Sequence, residues 1–268
     1  AFNFNQFTVE QLNADFGGGE VTATGGLALF EPTANPQSLN IALDNLTVNL
    51  PDLYEGDVAG NISIAQSALE PEIGGEMTLS EGEVILAGQD STATNGEATE
   101  NTSNIAFSNL KINLGENVNV TRPPIMNFLA KGDLTLNGTL ANMRPEGTIN
   151  LERGDVNLGP TQFRLAQGYE QTATFIPTQG LDPTLNVRLV TSVAETSGTL
   201  GTDSTGTEMT TGINAGVGTL QSVQVEALVQ GRASELQPGQ LRANDSVLTL
   251  SSDPNRSQTE IVTLLGEI

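Results

Sequence analysis

Residues 60–86 read GNISIAQSALEPEIGGEMTLSEGEVIL, and residues 132–158 read GDLTLNGTLANMRPEGTINLERGDVNL. The two stretches superpose without a gap. Gly60 falls on Gly132, Ile62 on Leu134, Ile64 on Leu136, Gly75 on Gly147 and Met77 on Ile149. Leu79 then falls on Leu151, Gly82 on Gly154, Val84 on Val156 and Leu86 on Leu158. Apolar residues recur at every second position, the period of a strand with one buried face. A repeated unit of this kind buries its apolar side by stacking on its neighbours.

The same alternation runs outward in both directions. LNIALDNLTVNL (39–50) carries Leu39, Ile41 and Leu43, then Leu46, Val48 and Leu50. SNLKINL (108–114) sets Leu110, Ile112 and Leu114 against Lys111 and Asn113, and its Asn109-Leu110 extends the repeat by matching Asn45-Leu46. Leu185, Val187 and Leu189 face away from Asn186 and Arg188. Val223, Val225, Ala227 and Val229 face away from Gln224 and Glu226, and Leu248 and Leu250 close the series. Strands between two helix layers would be apolar on both faces, so the alternation speaks against a helix-covered parallel sheet. The pairs Glu81-Gly82, Asn137-Gly138 and Arg153-Gly154 predict short reversals and an antiparallel meander, because so short a link joins antiparallel strands only. A degraded third copy is read in ALVQGRASELQP (227–238), through Gly231, Leu236 and Pro238.

Two stretches break the pattern. Residues 88–104 and 195–212 are rich in Ser, Thr, Gly and acidic residues, and they are expected to be mobile loops within one domain spanning 1–268. The end of the chain, SSDPNRSQTEIVTLLGEI, predicts a helix over 257–265. Ser257 and Glu260 form a capping box, and Ile261, Val262, Leu264 and Leu265 form one apolar stripe.

Composition narrows the function. The chain of 268 residues has 10 Lys and Arg against 32 Asp and Glu, a net charge of −22. That charge speaks against nucleic acid as a partner and against anionic membrane surfaces. There is no Cys and no His, which removes thiol nucleophiles, Ser-His-Asp catalysis and imidazole metal sites. Glu70/Glu72 and Glu81/Glu83 have same-face carboxylate spacing, but with 9 Phe, 2 Tyr and no Trp there is no sugar platform beside them. Solvated strand positions are the plainer reading. No catalytic constellation and no cofactor is expected. Ala1 begins directly in strand-like sequence, so the chain reads as a piece of a longer protein with any anchor or signal outside it.

The second unit continues with Phe163, Leu165, Gly168, Phe175 and Pro183-Thr184-Leu185-Asn186-Val187, after Gly147, Arg153-Gly154, Val156 and Leu158. Further on come Ser252-Asp253-Pro254, Ser257-Gln258-Thr259-Glu260-Ile261 and Leu264-Leu265. In this order the motifs resemble the C-terminal region of TamB-like envelope proteins, related to the AsmA group. Two features depart from that pattern. Arg256 stands where the family has an apolar residue, which weakens the hydrophobic staple onto Ile261. The family also continues past the helix into a segment that engages an Omp85-type outer-membrane barrel, whereas this chain ends at Ile268.

The resemblance implies an all-β fold of repeated antiparallel strands curled into an elongated open groove, a β-taco, with a short C-terminal helix. It also implies a periplasmic, inner-membrane-anchored bridge that carries phospholipid to the outer membrane, not an enzyme. The candidate groove lining is Ile62, Ile64, Met77, Leu79, Val84, Leu86, Leu110, Ile112, Leu134, Leu136, Ile149, Leu151, Val156, Leu158, Leu185, Val187, Leu189, Val225, Val229, Leu248 and Leu250. The alternatives are a closed β-solenoid acting as a scaffold or adhesin, and a polysaccharide-acting enzyme. A long apolar groove open to solvent separates the first reading from both.

Overall fold

The computed structural model describes residues 5–30, 37–86, 104–158, 161–197, 219–235 and 247–266. They form one sheet of thirteen strands and a terminal helix. The first strands are β1 (Gln6–Phe16), β2 (Gly19–Ala28), β3 (Leu39–Leu50), β4 (Tyr54–Gln66) and β5 (Pro71–Ile85). Then come β6 (Ala106–Arg122), β7 (Met126–Thr139), β8 (Asn142–Leu158), β9 (Thr161–Leu165) and β10 (Thr172–Phe175). The series ends with β11 (Thr184–Ser197), β12 (Thr219–Arg232), β13 (Leu248–Asp253) and helix α1 (Gln258–Leu264). Strand order in space follows the chain, and β9 and β10 share the lane between β8 and β11.

The sequence repeat is a structural repeat of three strands. β3-β4-β5 and β6-β7-β8 are each antiparallel meanders, and Asn45 in β3 corresponds to Asn109 in β6. The two copies meet side by side through β5 and β6, which pair in parallel. Here the expected all-antiparallel meander fails. The segment 86–105 between the two strands is long enough for the crossover that parallel pairing requires. The seam is laced on its outer face. Asn113 Nδ2 donates to Glu76 (2.8 Å), Asn117 Nδ2 to Glu81 (2.9 Å) and the Thr121 hydroxyl to Glu83 (2.5 Å). Hydrogen bonds from Gln66 and then Ser108 hold the Glu72 carboxyl below the ordinary glutamate range, and Asn104 donates to Glu70. The two carboxylate pairs singled out in the sequence are therefore acceptors for neighbouring polar side chains, most of them across this seam.

The three expected reversals are also corrected. Glu81-Gly82, Asn137-Gly138 and Arg153-Gly154 all lie inside continuous strands. β7 turns into β8 at Leu140-Ala141 instead, and β4 into β5 over Ser67–Glu70, where the Ser67 hydroxyl accepts from the Glu70 amide. Of these pairs only Glu81 supplies a bulge, and three asparagines elsewhere do the same. Glu81 has φ 48°, Asn45 47°, Asn109 50° and Asn117 53°, and the strand register shifts beside each of them. A bulge uses the left-handed backbone that a tight turn also uses, so the local chemistry is shared and only the partner strand decides between them.

β9 and β10 form one lane interrupted by residues 166–171, and a buried side chain fills the gap. Gln171 Oε1 accepts from the Arg188 amide (2.7 Å), and Gln171 Nε2 donates to the carbonyls of Ala166 (2.9 Å) and Arg188 (3.3 Å). Its amide replaces the peptide group that a continuous strand would have supplied. Residues 195–197 of the expected loop belong to β11 and pair with β12, while 88–103 and 198–212 lie outside the described residues, as do Leu236 and Pro238. Gly231 stands opposite Leu185, one residue before the end of β12.

Two predictions follow from these contacts. Gln171→Ala leaves the Arg188 amide and the Ala166 carbonyl without partners, which is expected to cost about 2 kcal/mol or more in denaturant unfolding. Gly60 and Gly132 hold φ 146° and 142°, and a Cβ at either would run into the carbonyl oxygen of Glu76 or Thr148, respectively. Gly60→Ala and Gly132→Ala are each expected to destabilise by roughly 1–3 kcal/mol. Equal stability of either alanine variant to the parent would contradict the close strand approach.

Candidate functional site

Residues directly opposed in a ladder point to the same face of the sheet. One cross-strand row runs Leu12, Ala23, Ile41, Ile62, Gly75, Leu110, Leu136, Pro145. The next runs Ala14, Val21, Leu43, Gly60, Met77, Ile112, Leu134, Gly147, Phe175. A third runs Leu46, Val58, Leu79, Leu114, Gly132, Ile149, Ala173, Leu185. None of these rows contains a charged or hydrogen-bonding side chain. Ile64 joins the same face opposite Ile73, Val84 opposite Val120, Leu151 opposite Ala130 and Val156 opposite Met126. Leu86 follows two residues after Val84 and is exposed, and Leu158 stands opposite Thr161 at the end of β8. In the last strands Val187 faces Val229, Leu189 faces Ala227, Val225 faces Ser252, and Leu248 and Leu250 face Val229 and Ala227. The register thus brings the candidate lining residues to one side of one sheet. Ile41, Ile73, Leu114 and Phe175 belong to that side too, where the two-residue period is the signal, and Phe107 joins them across the Asn109 bulge, which that period misses.

The apolar face has two regimes. From β2 to β8 it is largely open. Ile62, Ile64, Met77, Leu79, Ile112, Leu134 and Leu136 are all partly exposed. On β1, Phe7, Leu12 and Phe16 are 53%, 49% and 63% exposed. Burial is deepest near the bulges, at Leu46, Val58, Val118, Ala130 and Ile149, as local coiling at a bulge produces. Tyr54 lies in this region, donating to the carbonyls of Asp57 (2.8 Å) and Ser80 (3.0 Å), and burial pushes its phenol up.

Over β9 and β11–β13 the same face is largely sealed. Phe163, Val187, Leu189, Val223, Val225, Ala227, Val229 and Leu248 are buried in one cluster with Ile261 and Leu265 of the α1 segment. Leu151, Val156, Leu185, Leu250 and Leu264 pack against that cluster. The expected capping box is present. Ser257 Oγ accepts from the Glu260 amide, and Glu260 Oε2 accepts from the Ser257 amide (2.8 Å). The Ser252 hydroxyl shapes the approach, donating to the Pro254 carbonyl and accepting from the Arg256 amide. Arg256, in place of the staple residue, sends its guanidinium to Glu195 of β11 at 2.7 Å. The Thr161 hydroxyl donates to the Leu265 carbonyl at the other end of the helix (3.0 Å).

Among the described residues no group of three acidic side chains converges as metal ligands would, and no helix is long and apolar enough to cross a membrane. What the arrangement offers is surface: a broad aliphatic strip without polar recognition elements, closed at one end by a helix.

The model of the TamB C-terminal domain family matches residues 10–267. The chain belongs to the TamB family. Over 226 residues it is 28% identical to Protein SUBSTANDARD STARCH GRAIN 4, chloroplastic, of Oryza sativa subsp. japonica, covering 65% of this chain and 10% of the relative. Over 90 residues it is 40% identical to Protein TIC236, chloroplastic, of Arabidopsis thaliana, covering 33% of this chain and 4% of the relative. The TamB domain described here thus spans a tenth or less of the length of these curated relatives. Membership of the TamB family associates the chain with the cell envelope.

Hydrogen bonds from the Ser257 hydroxyl and then its amide, with Arg256 close by, hold the Glu260 carboxyl below the ordinary glutamate value. A lowered value means that this contribution to helix docking is fully present above the ordinary glutamate range. It is lost as the pH falls through the lowered one. Amide protection of α1 is therefore expected to fall on acidification while protection in β11 and β12 persists, and Glu260→Gln is expected to remove that pH dependence. Pace with β11 and β12 at every pH would contradict it.

Proposed function

We propose that this domain holds phospholipid acyl chains along the open apolar face between β2 and β8. In the longer protein it would serve as one section of a bridge that carries lipid across the envelope. The observation that carries this reading is the continuous, uncharged aliphatic face that remains partly exposed over β2–β8. Each methylene moved from water onto such a surface gains about 0.8 kcal/mol, so tails are held without any headgroup pocket. Seven strands at about 4.8 Å spacing extend roughly 29 Å, close to the roughly 30 Å hydrocarbon thickness that two tails fill in a bilayer. The domain does no bond chemistry in this reading, and direction of transport comes from outside it. The proposed compartment is the periplasm, with the full-length protein anchored in the inner membrane and an Omp85-type barrel as its outer-membrane partner.

The test uses a charge placed on the open face and one placed in the sealed cluster, each in the full-length protein. Leu136→Asp keeps part of its hydration, so the fold survives with a near-parent melting temperature, while photocrosslinking of lipid from a probe at Leu134 is lost. Leu189→Asp puts an unpaired carboxylate among buried aliphatics and is expected to cost several kcal/mol of stability. Unchanged crosslinking in folded Leu136→Asp would overturn the acyl-chain reading. A collapse of Leu136→Asp as complete as that of Leu189→Asp would favour a closed scaffold.

A further inference from the structure

We propose that α1 is a displaceable plug, an internal occupant of the apolar face that a lipid tail must evict to pass from β8 onto β9–β13. This rests on the acyl-chain reading of the open face and adds a regulatory element to it. The face does not change character at β9. Rows of aliphatic side chains continue through Ile149, Ala173 and Leu185, and through Val156 and Phe163. What changes is the cover: Ile261 and Leu265 are fully buried in the cluster that contains Phe163, Leu189 and Val225. These two side chains, with Leu264, occupy the position that tails would take further along.

The attachment is suited to release. α1 has seven residues, too few to persist as a helix away from its contacts, so docking and helix formation are one event. A short turn tethers it to β13, held by the Ser252 hydroxyl. Among the described residues its polar fastenings to the sheet are the partly exposed Arg256–Glu195 ion pair at one end and the Thr161 hydroxyl on the Leu265 carbonyl at the other. Such an element has two discrete states, and a ligand that competes for the same surface shifts the balance between them.

The experiment places a photocrosslinking residue at Leu136 or at Val225 in the full-length protein and adds vesicles of radiolabelled dipalmitoyl phosphatidylethanolamine. With the parent sequence, label is expected at Leu136 and nearly none at Val225. Ile261→Ser/Leu265→Ser frees the covered end, and label at Val225 is expected to rise about fivefold or more, with Leu136 unchanged. Arg256→Ala removes one fastening and leaves the cluster intact, so it serves where the double variant does not fold, and an increase of about twofold is expected. Parent-level label at Val225 in a folded double variant, or in Arg256→Ala where the double variant does not fold, overturns the plug while leaving the open-face reading standing. Strong label at Val225 in the parent protein overturns it as well. Absence of label at Leu136 throughout removes the acyl-chain reading, and the plug with it.

Discussion

The structure depends on parity. In a strand, side chains alternate between faces, so one extra residue turns everything beyond it to the other side. This sheet carries its apolar residues on one side through thirteen strands although several strands change phase midway. Leu43 is followed by Leu46, Leu79 by Gly82, and Leu151 by Gly154, each a step of three rather than two. The bulges at Asn45 and Glu81, and beside Glu152, absorb the odd residue. Asn45 and Glu81 do so in the left-handed conformation. Without them each inner set would divide between the two faces, and no continuous strip would exist.

A one-sided apolar sheet must cover that side or leave it available. Here both solutions appear on one surface. The C-terminal strands are covered by a short helix whose Ile261 and Leu265 complete a dry cluster. The repeated strands before them have no such cover among the described residues, and their aliphatic side chains stay partly exposed. The contrast matters for function because the chemistry of the two regions is the same and only access differs. The outer face is fixed independently, by the glutamate, asparagine and threonine contacts along the β5–β6 seam, so strand pairing there does not require a buried inner layer.

Much of this was legible in the residues. The gapless repeat, the alternating faces and the Ser257–Glu260 capping box translated directly into strands, register and helix, because each rests on contacts within a few positions. Other features were not. The left-handed backbone of Glu81 suits a hairpin turn and a bulge alike, and Asn137-Gly138 and Arg153-Gly154 run on within their strands, so only the partner strand distinguishes turn from strand. The steps of three in the apolar pattern were the available signal for bulges. The parallel β5–β6 pairing and the Gln171 amide that bridges the interrupted lane are set by residues distant in sequence, and no local pattern announces either. The apolar stripe of α1 indicated a buried face but not that it would cover the end of the strip.

The account is tested most directly by carbene footprinting of the full-length protein, with and without phosphatidylethanolamine vesicles. Without lipid, Ile62, Met77, Ile112 and Leu134 should label and Val187, Val225 and Ile261 should not. With lipid, the first group should become protected while outer-face residues such as Lys111 and Arg144 keep their labelling. Equal protection of both groups in the absence of lipid would mean a closed core, and undiminished labelling of the first group in the presence of lipid would mean that acyl chains do not occupy the face.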